Sequence, residues 1–348
     1  MSSSEATRAE HAWRLPVLLG GLTVLLGSFH LAVPSLWADE VATRNAVTRS
    51  LPQLLSMLGQ IDATHTVWYL LTWGWVQLFG TSVLALRMLP LLFAGVTVAL
   101  FTALATQLLG RRGGFFSALS LLWIPALLSA ATQARSYTLT VAMTIAAMLL
   151  LHQALTRGGA WRWIWYAAVT ALGIVVFSLT ALMLLVHGLI VAGYRAEPRR
   201  RVLLHWGIAA CGALGATAPF LLWSMHIGSA AAQLDWLQNP SPRALLRSIL
   251  LTQWFGTPTG TVAVRATELL AALCWLAIAI CLLHPRSAPL LWKRVGGNIP
   301  PIWIGILWMS VPTAALLLMS YTLTPLYANR YLLYTTPGMA LLLGGALA

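Results

Sequence analysis

Two adjacent carboxylates, Asp39 and Glu40, follow directly on a long apolar run, in Ser35-Leu36-Trp37-Ala38-Asp39-Glu40. The chain has only eight acidic residues in 348, so the position of each is informative. A carboxylate at such a boundary can serve as a general base, taking a proton from a hydroxyl within reach when its pKa is tuned. The plain structural alternative is a helix cap, because the unpaired N–H groups and the dipole at a helix start favour an acidic side chain. On spacing alone the cap is the stronger reading. Glu5 and Glu10 sit in a polar N-terminal stretch and Glu197 among arginines. Glu268 falls inside an apolar run one turn from Arg265, placed to pair with it. That leaves Asp62 and Asp235 in the stretches between apolar runs, the latter near His226 with no clear role.

The cations suggest anion chemistry. Arg87, Arg135 (in Gln133-Ala134-Arg135-Ser136-Tyr137) and Arg330 (in Tyr327-Ala328-Asn329-Arg330-Tyr331) each stand at the edge of an apolar run. A guanidinium there can grip a phosphate with paired hydrogen bonds at headgroup depth. Snorkelling to ordinary lipid, with Tyr137 and Tyr331 as interface anchors, accounts for one or two such residues more easily than for three. Asp62 and His65 are three residues apart and share one face of a helix. Metal ligands at recognisable spacing are missing, and Cys211, Cys274 and Cys281 lie within apolar segments. Walker A, dinucleotide-binding, HExxH and GxSxG patterns are also missing. An activated donor would then have to arrive through the membrane.

The elements that must position these residues are apolar helices. Apolar residues make up 59% of the chain and charged residues 8%, with a mean hydropathy of +0.79. Runs of about twenty apolar residues recur, the length that crosses a bilayer core as a helix. Lipid offers the backbone no hydrogen-bond partners, so the runs are helices or barrel strands, and they lack the alternation of strands. The fold class predicted is an all-α, polytopic transmembrane helix bundle. The net charge of +13 is scattered in short clusters between runs, which is a topology signal rather than a nucleic-acid surface.

Spans are predicted near 15–36, 89–109, 115–133, 138–155, 163–180, 181–194, 202–223, 262–283, 301–320 and 332–348. The stretch 66–79, rich in tryptophan, is short for a crossing and reads as an interfacial helix with an aromatic belt. If it does not cross, four later basic clusters fall on the side of Arg8 and Arg14: Arg111/Arg112, Arg157/Arg162, Arg195 with Arg199–Arg201, and Arg286/Lys293/Arg294. That is the positive-inside pattern, and a crossing would invert it. The expectation is a cytoplasmic tail, 1–14, and a membrane domain of about ten spans, 15–348, with outer loops near 37–88, 224–261 and 321–331. The location implied is a cell membrane, with the N-terminus cytoplasmic and the chemistry on the outer face.

The outer residues resemble those of a known group. A first span is followed by Asp39-Glu40, then Asp62-Ala63-Thr64-His65 leading into Trp68-Tyr69, then Phe79-Gly80, Leu86-Arg87-Met88-Leu89-Pro90 and Ala134-Arg135-Ser136-Tyr137. Near the end come Asn329-Arg330-Tyr331-Leu332 and Pro337. This order is similar to the GT-C membrane glycosyltransferases, specifically the protein O-mannosyltransferase and aminoarabinose-transferase branch (glycosyltransferase family 39-like). The resemblance covers about 15–155 and 321–340. It implies an inverting transfer of a mannose- or arabinose-type sugar from a polyprenyl-phosphate donor to a hydroxyl on a glycan, lipid or protein acceptor. It implies Asp39 as the base, Glu40 bonding the acceptor or orienting the loop, and Arg87, Arg135 and Arg330 holding the donor phosphate. Asp62, His65, Tyr137 and Tyr331 would support them. Two features depart from the pattern: Thr66-Val67 stand where many relatives carry prolines, and the chain stops inside an apolar run at Ala348, as a short or truncated variant would.

Two other classes remain. A transporter or flippase would gather ionisable residues near the midplane of broken helices, whereas here they gather in loops. A non-catalytic subunit of envelope assembly would keep the Asp-Glu pair for structure alone.

Overall fold

The computed structural model describes residues 3–29, 31–195, 199–227, 237–257, 260–294, 297 and 299–348, with side chains from Trp13 onward. Glu197 and Asp235, and the side chains of Glu5, Arg8 and Glu10, lie outside the described residues. Every regular element among the described residues is helical.

Helix α1 (Ser3–Gly27) ends well short of the predicted boundary at 36. The chain then runs irregularly through Pro34, whose ring disfavours helix at the residue before it. Three short helices follow: α2 (Ala38–Val47), α3 (Leu51–Gln60) and, after a single 3-10 turn at Ala63–His65, α4 (Thr66–Phe79). Gly80, at φ 78°, ends α4 in a conformation that suits only glycine.

Helix α5 (Val83–Leu122) starts at Ser82, whose hydroxyl accepts the Ala85 N–H at 3.1 Å. Its forty residues are two helices meeting at Gly110, φ 79°, directly before Arg111 and Arg112. The predicted span 115–133 is thus divided between the second half of α5 and α6 (Pro125–Ala131), because Pro125 opens a new helix. Next come α7 (Tyr137–Arg157), α8 (Ala160–Val176), α9 (Met183–Gly193) and α10 (Arg199–His226). A 3-10 turn, Ser178–Leu182, is all that separates α8 from α9, where the sequence offers no loop.

Beyond α10 lie α11 (Pro242–Arg247), a π-helical turn (Ser248–Thr252) and α12 (Gln253–Phe255). The chain continues through α13 (Thr261–Leu283), α14 (Pro289–Trp292) and α15 (Pro301–Thr322), then a 3-10 segment (Asn329–Thr335) and α16 (Thr336–Leu347). Helices α5, α7, α10, α13 and α15 are long and apolar enough to cross a membrane, and 13–27, α8 and 178–193 are shorter apolar helices.

The main core joins α5, α7, α8, α9, α15 and α16 around buried Phe101, Trp308, Leu316 and Tyr334. In lipid such contacts hold helices by close packing and hydrogen bonds more than by expelling water. A second cluster packs Leu54 of α3 and Trp68 and Tyr69 of α4 against Leu89 and Leu139, near the starts of α5 and α7. The three short helices therefore sit at the end of the bundle where those two long helices begin. Arg265 and Glu268 are both exposed on α13 and form no ion pair, so the pairing expected from their spacing is corrected.

Candidate active site

Helix α2 rotates by about 100° per residue, so adjacent Asp39 and Glu40 cannot face the same way. Glu40 turns inward and is fully buried; Asp39 stays about 28% exposed at the surface. The two carboxylates thereby take different work.

Glu40 meets Arg87 in a two-pronged ion pair, Nε to Oε1 at 2.8 Å and Nη2 to Oε2 at 2.7 Å. Its oxygens also accept the Ala134 N–H at 2.9 Å and the Trp37 N–H at 3.3 Å. Burial alone would push the Glu40 carboxyl up. The Arg87 guanidinium and the two backbone N–H groups overcome that and hold it below the usual carboxylate range. Arg87 gives its remaining N–H groups to the carbonyls of Leu31 (3.0 Å), Pro34 (2.8 Å) and Ser35 (3.0 Å). All five guanidinium donors are then in use, at 3% exposure. Arg87 is therefore corrected from phosphate ligand to structural partner: no N–H is left for a donor phosphate. Glu40 also caps α2, its carboxylate accepting the N–H of Trp37.

Asp39 Oδ2 accepts a hydrogen bond from Arg330 Nη1 at 3.3 Å. Arg330 is the second residue of the 3-10 segment before α16, with its guanidinium 5.6 Å from the Tyr331 ring. Its neighbour Asn329 is held from both ends: Ser248 donates to Oδ1, and Nδ2 donates to Thr252 Oγ1 at 2.6 Å. Ser248 also shares a hydrogen bond of 2.6 Å with the Tyr327 hydroxyl. The π-helical turn that offers Ser248 and Thr252 together thus ties the segment after α11 to the one before α16.

Arg135 comes from the turn before α7. Its Nη2 donates to His65 Nε2 at 2.6 Å, and His65 Nδ1 donates to Asp62, 2.8 and 3.0 Å from the two carboxylate oxygens. Asp62 also accepts from Thr64 (3.0 Å) and Tyr69 (3.1 Å). Burial pushes the Asp62 carboxyl up, yet His65, Thr64 and Tyr69 together bring it down to about 2. Burial and the Asp62 charge raise the Tyr69 phenol, so it keeps its proton and remains a donor. Trp68 Nε1 donates to Ala134 O at 3.3 Å, fastening the Arg135 turn to α4. Trp73 and Trp75 likewise donate to Arg49 O (3.0 Å) and Ala85 O (2.8 Å). The tryptophans expected as an interfacial belt are in large part internal braces.

Tyr137 and Tyr331 join Arg135, Arg330 and Asp39 within electrostatic reach of one another. The arrangement is a half-exposed carboxylate facing two guanidiniums, from separate segments, that can hold an anion. Glu40–Arg87 lies beneath it and Asp62–His65 behind Arg135. Arg49 stands apart from this arrangement and donates to Asn45 O at 2.9 Å. Sequence reasoning missed Tyr69 as a ligand of Asp62, although the spacing 62, 65, 69 traces one helical face. It also missed Ser248 and Thr252, for which no local pattern exists. No group of three or more His, Cys, Asp or Glu side chains able to hold a metal occurs among the described residues.

No protein-family model and no curated protein matches the sequence. Solved structures do match in fold. ArnT from Cupriavidus metallidurans bound to undecaprenyl phosphate superposes with a TM-score of 0.59 at 14% identity, over 95% of this chain and 59% of that one. The apo state of that protein gives 0.54 at 14% identity, over 80% and 48%. Arabinosyltransferase EmbB from Mycobacterium smegmatis gives 0.53 at 13% identity, over 94% and 30%. The chain thus shares the all-α fold of these proteins, and it spans about half the length of ArnT and about a third of EmbB.

Proposed function

We propose that this chain is a membrane glycosyltransferase that moves a sugar from a polyprenyl-phosphate donor to an acceptor hydroxyl. The observation that carries the reading is Asp39, a half-exposed carboxylate beside Arg330 and Arg135. The undecaprenyl phosphate bound by ArnT supports the class of donor.

In this reading Arg135 and Arg330 hold the lipid phosphate while the prenyl chain stays in the membrane, so positioning supplies much of the rate. Asp39 takes the proton of the acceptor hydroxyl as its oxygen attacks the anomeric carbon. The bond from that carbon to the phosphate oxygen breaks, with inversion, and the two guanidiniums neutralise the charge left on phosphate. The leaving group then needs no general acid. The contact between Asp39 and Arg330, at 3.3 Å, is long for an ion pair and exchanges for phosphate when the donor arrives. Basic clusters at each alternate turn favour a cytoplasmic N-terminus, a multi-pass cell-membrane location and a site on the outer face.

The test is mass spectrometry of lipid-linked sugars and envelope glycans in a deletion strain. Accumulation of one polyprenyl-phosphate sugar with loss of one glycan linkage is the expected result. An unaltered glycan profile with a lost solute flux would replace this reading with transport.

A further inference from the structure

Arginine carries five N–H donors and no acceptor, so the imidazole nitrogen it meets must present a lone pair. Arg135 Nη2 lies 2.6 Å from His65 Nε2, which assigns that nitrogen as unprotonated. The ring proton is then on Nδ1, where the Asp62 carboxylate receives it at 2.8 Å. The network thus fixes both the tautomer and the ring orientation. Asp62 is itself braced by Thr64 and Tyr69, and the Tyr69 ring lies 5.6 Å from that of His65.

We infer that His65 is a positioning residue: the Asp62-locked imidazole holds Arg135 toward Asp39, and uptake of a second proton releases Arg135 and weakens the grip on a lipid phosphate. The inference rests on the proposed function and deepens it by giving the same site an acid switch. The doubly protonated ring has no lone pair for Arg135 and sets a cation against a cation. Asp62 tempers the repulsion but cannot restore the acceptor. The titratable and charged groups facing His65 are Asp62 from its own turn, Tyr69 from α4 and Arg135 from the turn before α7. Helices α3, α8 and α10 also pack on this turn; the charged or titratable side chains they carry are Arg162 and Tyr166 of α8 and Arg199–Arg201, His205 and His226 of α10. The signs of Asp62 and Tyr69 stay fixed over the relevant range: the carboxyl ionises at about 2 and the phenol is pushed up.

The test uses undecaprenyl phosphate and the full chain in lipid nanodiscs, with binding measured from about pH 8 to about pH 5, the range in which imidazoles change charge. His65→Gln supplies an acceptor oxygen that does not titrate, and His65→Leu supplies none. The phosphate's own protonation is common to all three proteins, so the difference between profiles is the readout. The wild-type affinity is expected to fall about tenfold more than that of His65→Gln across the range, the effect of one lost hydrogen bond to a charged group. His65→Leu is expected to bind about tenfold more weakly than wild type already at the upper pH. Superimposable wild-type and His65→Gln profiles overturn the inference while leaving the proposed function in place. Absence of wild-type binding at every pH overturns the proposed function, and the inference with it. If His65→Leu does not fold, the comparison with His65→Gln decides alone.

Discussion

Glu40 and Arg87, 47 residues apart in sequence, are joined by two parallel hydrogen bonds of 2.8 and 2.7 Å inside the protein. The pair fastens the irregular segment after α1, the start of α2, the start of α5 and the turn that carries Arg135. Removing one partner leaves the other as an uncompensated buried charge, which costs about 3–5 kcal/mol. Glu40→Ala and Arg87→Ala are each expected to lower the thermal midpoint sharply. The double variant Glu40→Gln/Arg87→Met should recover much of the loss, because no lone charge remains. Thermal unfolding in detergent checks this; an Arg87→Ala protein of wild-type stability that only binds donor lipid poorly would restore Arg87 as a phosphate ligand.

Asp62 gives a pH-dependent contribution whose sign is set by the direction of its shift. Its folded pKa of about 2 is depressed from an ordinary 3.8. The stabilisation is therefore fully present above about pH 4 and lost as pH falls through about 2, and its size is about 2 kcal/mol. The stability difference between wild type and Asp62→Asn should shrink as pH falls from about 4 through about 2. A gap that widens as pH falls from about 4 to about 2 would reverse the assignment.

Arg330 is set by Asn329, and Asn329 by Ser248 and Thr252. Arg330→Ala should weaken undecaprenyl phosphate binding by about 10- to 100-fold, the range for a hydrogen bond to a charged group. Arg330→Lys should recover only part, since an ammonium lacks the planar fork. Equal binding by all three proteins would separate Arg330 from the lipid phosphate.

The helices themselves were legible because apolar length and basic clusters speak directly of membrane segments. The break expected between the spans 89–109 and 115–133 is there, at Gly110, directly before Arg111 and Arg112. The division of labour between Asp39 and Glu40 was not legible. Adjacent carboxylates look alike until the helix rotation and a partner 47 residues away choose which one is buried. Arg87 was misread for the same reason: an arginine at a span boundary has the same local pattern whether its donors face lipid phosphate or the protein's own carbonyls. Asp62–His65 was legible as a pair from its spacing, but its contact with Arg135, 70 residues on from His65, belongs to tertiary structure. Ser248 and Thr252 are ordinary residues whose importance comes only from meeting Asn329.

Topology has its own direct check. In a background without native cysteines, Asn45→Cys and Arg112→Cys place thiols at two exposed positions on opposite predicted sides. An impermeant maleimide added outside intact cells should label position 45 and spare position 112. The reverse pattern would put the carboxylates on the cytoplasmic face.

The central claim is that Asp39 is the base. Removing a general base costs about 100- to 10,000-fold in rate while leaving substrates bound. Purified Asp39→Asn should therefore bind undecaprenyl phosphate at least as well as wild type, since Arg330 loses a competing carboxylate, yet transfer sugar at least about 100-fold more slowly. Transfer by Asp39→Asn at the wild-type rate would contradict the account.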